Sequence, residues 1–174
     1  MKKGMPAMDK SKMGAIFTTR YQVLCRDRQG RLKWADDFHN LVVNTGLDDI
    51  LNQYFKGSTY TAAHFVGLTD GTPTIAAGDT MASHAGWTEV TAYSEGARQA
   101  FTPGTVASQS VSNSAAKAIF SITATATVGG LFLATNSTKG GTTGTLYGVA
   151  AFTGGDRAVA NGDTLNITGT MSAS

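Results

Sequence analysis

Asp163-Thr164-Leu165-Asn166-Ile167-Thr168-Gly169-Thr170-Met171-Ser172-Ala173 decides the fold class. Leu165, Ile167, Gly169, Met171 and Ala173 fall on one side of an extended chain, and Thr164, Asn166, Thr168, Thr170 and Ser172 on the other. A period of two with one apolar side is the signature of an antiparallel strand that is covered on a single face. Lys117–Val128 repeats the pattern, with Ala118, Phe120, Ile122, Ala124, Ala126 and Val128 alternating mainly with Thr, Ser and Lys. The alternation predicts strands over 117–128 and 163–173, with Phe120, Ile122, Leu165 and Ile167 buried between two sheets. Between them, Leu131–Thr135 and Leu146–Phe152 are apolar at successive positions, as central strands are. Turns rich in glycine separate these segments at Lys139–Gly144 and Gly154–Gly155, and Asn161-Gly162-Asp163 leads into the last strand.

Working outward, residues 15–43 read as a β-hairpin. Phe17, Tyr21, Val23 and Cys25 alternate with Thr18, Arg20 and Gln22, and Asp27-Arg28-Gln29-Gly30 forms the turn. Leu32, Trp34 and Phe38 return, Asp36-Asp37 marks a bulge, and Leu41-Val42-Val43 closes the hairpin. Residues 45–56 predict the one helix. Thr45 and Asp48 suggest a capping box, and Asp48 and Asp49 suit the first turn. Leu47, Ile50, Leu51, Tyr54 and Phe55 recur at helical spacing, while Lys56-Gly57 supplies a stop. A strand over 60–69 ends at Asp70-Gly71-Thr72-Pro73. The loop over 70–86 is long enough to suggest a function or ordering by a partner. Trp87–Tyr93 and Ala97–Phe101 predict further strands. About eight strands without a βαβ pattern indicate an all-β, antiparallel β-sandwich or jelly roll with one short helix and a flexible N-terminal arm. The arm is assigned to residues 1–14 and the domain to residues 15–174.

Composition agrees with that class. Gly, Ala, Ser and Thr make up nearly half of the 174 residues, and charged residues only 15%. A helical bundle would be richer in Glu, Lys and Leu, whereas Thr suits pleated faces. Residues 1–56 hold ten Lys/Arg against six Asp/Glu, while residues 57–174 hold four against six. The larger part is thus nearly uncharged and poorly protected against association, which suggests an assembled natural state. The single cysteine excludes an internal disulfide and a cysteine-built zinc site. No apolar run is long enough to span a bilayer as a helix. The basic start is not followed by the apolar stretch of a signal peptide, so synthesis in a reducing compartment is expected. Residues 1–14 carry Lys2, Lys3, Lys10, Lys12, Met5, Met8 and Met13 without any periodicity. They read equally as a solvated tail and as a contact for a negatively charged surface. Neither interleaved aromatics nor a recognition helix supports specific nucleic-acid binding.

No constellation in the sequence supports an enzyme. His39, His64 and His84 lack metal-site spacing. His64 reads as a packed strand residue. His84 reads as an exposed loop residue before it reads as part of a polar cluster with Trp87 and Glu89. No GxSxG elbow occurs, and Cys25 sits on an alternating strand as a small hydrophobe. Glu89 and Glu95 are the only glutamates, which leaves little for paired-carboxylate hydrolysis. Gly129-Gly130 and Gly140-Gly141 open no helix, so they are poor phosphate loops. Neither a cofactor nor a metal is expected.

One resemblance runs through the turns and strands. Its segments are Asn40-Leu41-Val42-Val43-Asn44-Thr45-Gly46-Leu47, Gly67-Leu68-Thr69-Asp70-Gly71-Thr72-Pro73, Ala77-Gly78-Asp79-Thr80-Met81, Gly86-Trp87-Thr88-Glu89, Gly140-Gly141-Thr142-Thr143-Gly144-Thr145-Leu146-Tyr147 and Asn161-Gly162-Asp163-Thr164-Leu165. Together they resemble a family of small virion proteins from tailed bacteriophages, over roughly residues 15–173. Within that class, capsid decoration (cement) proteins are the nearest functional match. The resemblance implies a structural virion protein on the capsid exterior, made in the host cytoplasm, that clamps major capsid subunits and associates with sister copies as a homotrimer. In that setting Lys2, Lys3, Lys10 and Lys12 would lie on acidic or carbonyl-rich surface, and Met5, Met8 and Met13 would fill irregular apolar gaps on the capsid protein or a sister copy. The alternative is a tail or head-fibre component that binds a host receptor, which would show an exposed pocket or aromatic patch near residues 70–87.

Overall fold

The computed structural model describes residues 17–57 and 63–173. In chain order the elements are β1 (Phe17–Arg26), β2 (Leu32–His39), β3 (Leu41–Val42), α1 (Asn44–Tyr54), β4 (His64–Thr69), β5 (Glu89–Val90) and β6 (Gln99–Phe101). They are followed by β7 (Ser110–Ser112), β8 (Ala118–Ser121), β9 (Ala126–Val128), β10 (Gly130–Ala134), β11 (Leu146–Ala151), β12 (Arg157–Val159) and β13 (Thr164–Ala173). One sheet has the order β2-β1-β13-β7, with β8 also paired to β13; the second has the order β3-β11-β10-β4-β5, with β6 also paired to β4. A two-stranded ribbon joins β12 to β9. All the described pairings are antiparallel.

The alternation of β13 places its apolar side in the sandwich. Leu165 and Ile167 meet Phe120 and Ala118 on β8, and all four are buried. Tyr21, Val23 and Cys25 of β1 complete that side, and Val66, Leu68, Leu131 and Leu133 face them from the second sheet. Each such large apolar side chain contributes about 1.5–3 kcal/mol by leaving water. Ile122 is buried as the alternation requires, but it lies just beyond β8.

Several local expectations are corrected. Lys117–Val128 is not one strand: β8 ends at Ser121, and the chain resumes as β9 on the ribbon. Ile122 is tied off by its own backbone, donating to Asp163 O (2.8 Å) and accepting from Gly162 N (2.9 Å), and Ala124 is exposed. The first hairpin has its irregularity at Lys33, opposite Cys25/Arg26, and not at Asp36-Asp37, which pair regularly with Val23 and Gln22. The displaced Lys33 reaches the carboxylate of the nearly buried Asp163, which rewards the bulge. Leu41-Val42 does not close the hairpin but opens the second sheet as β3 on β11. Asn40 makes the crossing, since its Oδ1 accepts from Thr19 N and its own N–H donates to Thr19 O.

The central strands are apolar on both sides because both sides are covered. Phe132, Ala134, Leu146 and Val149 point away from the sandwich and pack with Val43, Met81 and Trp87, with Ile75 alongside. Phe132 lies over Gly67 of β4, where any Cβ would strike its ring. The 70–86 loop is therefore ordered by its own chain. Met81 is 1% exposed, Thr74 N donates to Gly86 O (3.0 Å), and Asp79 Oδ2 accepts from Ala76 N (3.0 Å). Ordering by a partner is not needed, because the loop forms the lid of a second core.

Candidate interaction surface

The first turn of α1 is pinned to β11. Gly46 rests on the Tyr147 backbone, so closely that a Cβ there would collide with the Tyr147 carbonyl. Thr45 Oγ1 donates to Leu146 O (2.8 Å), Val43 N to Tyr147 O (3.2 Å) and Asn44 N to Ala77 O (2.8 Å). The expected capping box does not form. Val43 is the cap residue, with no side-chain cap bond, because Thr45 is already committed to the sheet. The helix thus starts at Asn44, and Asp48 and Asp49 fall in its second turn.

Beyond that turn the helix faces solvent. Ile50 packs against the sandwich core, but Leu47 is 40% exposed, Leu51 55%, Tyr54 82% and Phe55 76%. These positions stand three, four and seven or eight apart, so they form one continuous apolar stripe. Tyr54 and Phe55 meet edge to face at 5.1 Å. Of the five apolar side chains at helical spacing, Ile50 alone packs against the core.

A groove of about 230 Å³ adjoins the helix, lined chiefly by Phe17, Ile50, Val106, Val111, Tyr147 and Met171. Its wall includes an unusual turn. Ser108 (φ 47°) and Gln109 (φ 55°) are consecutive left-handed residues, held by paired bonds between Ala107 and Ser110 of 2.9 and 3.0 Å. This mirror-image hairpin turn is normally built from Asn-Gly, and each non-glycine residue in it costs about 1–2 kcal/mol. Gln109 O also accepts from Ala173 N (3.0 Å), which ties the turn to the end of β13. Asp49 accepts from Gln53 (3.2 Å), whereas Asp48 is exposed and makes no ion pair among the described residues. Burial raises the Tyr147 phenol pKa, with Asp49 adding to the effect, and lowers that of the His64 imidazole, with Asp49 opposing.

The other polar clusters are committed to structure. Arg98 is buried, with Nε and one terminal nitrogen on Glu89 (3.0 and 2.7 Å) and further bonds to Asn136 O (3.0 Å) and Gly141 O (2.6 Å). It clamps the 136–141 loop over Phe132, whose ring centroid lies 4.9 Å away. Arg98 was not among the residues singled out from the sequence, although an isolated arginine in a charge-poor region that holds both of the chain's glutamates, Glu89 and Glu95, was an available signal. His84 is half-buried, not exposed, because its ring stacks on Trp87 at 3.7 Å and its Nδ1 lies 3.0 Å from Trp87 O. A cavity of about 570 Å³ is an open depression lined by Asp36, Asp37, Thr153 and Arg157 among others. Its carboxylates are occupied. Hydrogen bonds from Arg20 and then Gln22 hold Asp37 down to about 2, and Asp36 accepts from Gly154 N (2.9 Å). Cys25 is buried, and burial pushes its thiol up to about 11. Among the described residues no three His, Cys, Asp or Glu side chains gather as metal ligands, and no helix is long and apolar enough to cross a membrane.

Lys2, Lys3, Met5, Met8, Lys10, Lys12 and Met13, the contact residues expected from sequence, lie outside the described residues. The groove residues Phe17, Val106, Val111 and Met171 carried no sequence signal of a site, since each fits its own strand or loop unremarkably. No protein-family model matches the chain, and no curated protein is similar enough to serve as a relative.

Proposed function

We propose that the protein is a non-enzymatic structural component of a tailed-phage particle, a decoration or cement protein that binds the capsid exterior and clamps neighbouring major capsid subunits. The observation that carries this reading is the outward apolar stripe of α1 beside an apolar groove, on a domain of low charge. Contiguous apolar surface of this kind marks an interaction site. On a symmetric shell, a weak contact repeated at every equivalent position adds up to strong overall attachment. The resemblance of the turn and strand segments to phage virion proteins supports the setting. In this reading the protein needs no cofactor, forms a homotrimer at three-fold positions, and is made in the host cytoplasm before it joins the virion.

A tail or head-fibre role predicts an exposed pocket or aromatic patch near residues 70–87. A pocket of about 190 Å³ lies there, lined by Met81, His84, Trp87, Glu89 and Arg98 among others, but its charged groups are bonded to each other. Trp87, the aromatic residue of that loop, is only 5% exposed and lies under His84. The discriminating experiment is reconstruction of the purified particle by electron microscopy, together with copy counting. Density on the shell at three-fold positions, in numbers that scale with the capsid subunits, is the expected result. A few copies confined to the tail would overturn the decoration reading.

A further inference from the structure

We propose that the tip of the β1–β2 hairpin, residues 26–33, is a preformed cationic contact that takes the carboxylates of an acidic protein surface. The inference concerns the purified protein and does not rest on the virion reading.

Charge distribution is the first argument. Residues 26–33 hold Arg26, Arg28, Arg31 and Lys33 against a single carboxylate, Asp27. Over the rest of the described residues the balance is reversed, with ten carboxylates against six lysines and arginines. All four cations of the tip are exposed, and Leu32 among them is 55% exposed. Positive charge is thus concentrated at one end of an otherwise acidic domain, an arrangement that attracts and orients an anionic partner. At about 3.3 Å per residue, β1 sets this tip about 30 Å from Phe17 and the apolar groove. The two surfaces are separate, and their chemistries differ.

Order is the second argument. Asp27 organises the turn: its Oδ1 accepts from Gln29 N and Arg31 N (both 2.9 Å), and its Oδ2 accepts from Arg31 Nε (2.7 Å). Gly30, at φ 78°, donates its N–H to Asp27 O (2.8 Å), and Asp27 N donates to Arg31 O (2.9 Å). Arg26 Nη1 donates to Gly30 O (3.0 Å). The Arg28 stem lies along Gly162, where an added Cβ would come within 2.9 Å of Nε. Yet the Arg28 guanidinium makes no hydrogen bond or ion pair among the described residues. A turn bonded this heavily loses little freedom when a partner arrives. It holds out a guanidinium with its donors unused, and the planar fork of that group fits a carboxylate through two parallel bonds.

The nature of the anion is the third argument. Asp27 and Asp163, the latter bound by Lys33, interrupt the cationic surface. An unbroken phosphate chain would meet both carboxylates, whereas side-chain carboxylates on a folded partner are discrete and fall between them. Residues 26–33 contain no aromatic ring on which a base could stack. Exposed Leu32 adds the apolar contact that protein interfaces combine with charge.

The test titrates the full chain with poly-L-glutamate at low salt. Arg26→Gln/Arg28→Gln should weaken binding roughly tenfold, whereas Lys56→Gln/Lys117→Gln, an equal loss of charge at exposed sites away from the tip, should weaken it by no more than about threefold. Unfolding curves of both variants should match the parent, since all four side chains are exposed. A second measurement needs no variant: the Nε–Hε resonances of Arg26 and Arg28 should shift along the titration. Equal losses in the two variants would reduce the effect to diffuse attraction by net charge and overturn the proposal, as would an unmoved Arg28 resonance. A larger loss toward duplex DNA than toward polyglutamate would assign the tip to phosphate and overturn the choice of carboxylate. Polyglutamate binding at the tip by a protein that ignores decoration-free capsids would uphold the inference and count against the virion reading alone.

Discussion

The outer face of the second sheet and the outer face of α1 are both apolar, but they meet different fates. Over the sheet, the 70–87 segment lays Met81 and Trp87 on Phe132, Leu146 and Val149, and the whole cluster is at most 5% exposed. Over the helix nothing in the described domain plays that part, and Tyr54 and Phe55 stand 82% and 76% exposed. Apolar surface covered by its own chain stabilises the fold in every molecule. The same surface left open contributes only when another surface arrives. Backbone strain follows the same division, since Ser108 and Gln109, the only non-glycine residues at positive φ among those described, stand beside the open groove. Strained residues persist where the surroundings hold them, and they gather at sites of interaction.

The contrast breaks most directly at Trp87. If its lid forms a true second core, Trp87→Ala should lower unfolding free energy by about 3–5 kcal/mol in urea titration. A loss below about 1 kcal/mol, the range of ordinary surface changes, would show that the lid is not load-carrying. On the open side, Gln109→Gly should raise stability by about 1 kcal/mol by relieving one left-handed residue. No gain in thermal or urea unfolding would mean that the turn is unstrained.

His64 lies at the border of the two regions, edge-on to Tyr147 at 5.8 Å. Burial lowers its pKa from 6.5, with Asp49 partly opposing. Between the folded pKa and 6.5 the unfolded chain binds the extra proton. Stability from this group is therefore complete above pH 6.5 and falls as pH drops below it. His64→Gln should flatten that slope in unfolding measured from pH 7 to 5, and an unchanged slope would remove His64 as its source.

The smallest effect on stability is expected on the stripe. Leu51→Ser with Phe55→Ser should shift unfolding by no more than about 0.5 kcal/mol per site, because both side chains are already exposed. Binding to decoration-free capsids should nonetheless fall at least tenfold, an effect of about 1.4 kcal/mol. Full capsid binding by this double variant would detach the stripe from the proposed function.

Fold class and core follow from local pattern alone. Alternation on β13 and in 118–122 suffices to bury Phe120, Ile122, Leu165 and Ile167, because side chains on an extended chain point to opposite faces whatever lies beyond. The doubly apolar runs of β10 and β11 likewise announced central strands before any neighbour was known. Where chains cross between sheets, at Asn40 and after Ser121, is set by long-range contacts, for there the hydrogen-bond partners lie far away in sequence. The same holds for the fate of each apolar face. Periodicity reports that Leu47, Leu51, Tyr54 and Phe55 share a side, yet not whether anything covers it. Thr45 bonded to Leu146 and Gly46 seated on Tyr147 turn the helix so that Ile50 alone packs inward, and a contact a hundred residues away leaves no trace in local pattern. The groove is the extreme case: Phe17, Ile50, Val106, Tyr147 and Met171 come from five separate parts of the chain, and only folding brings them together.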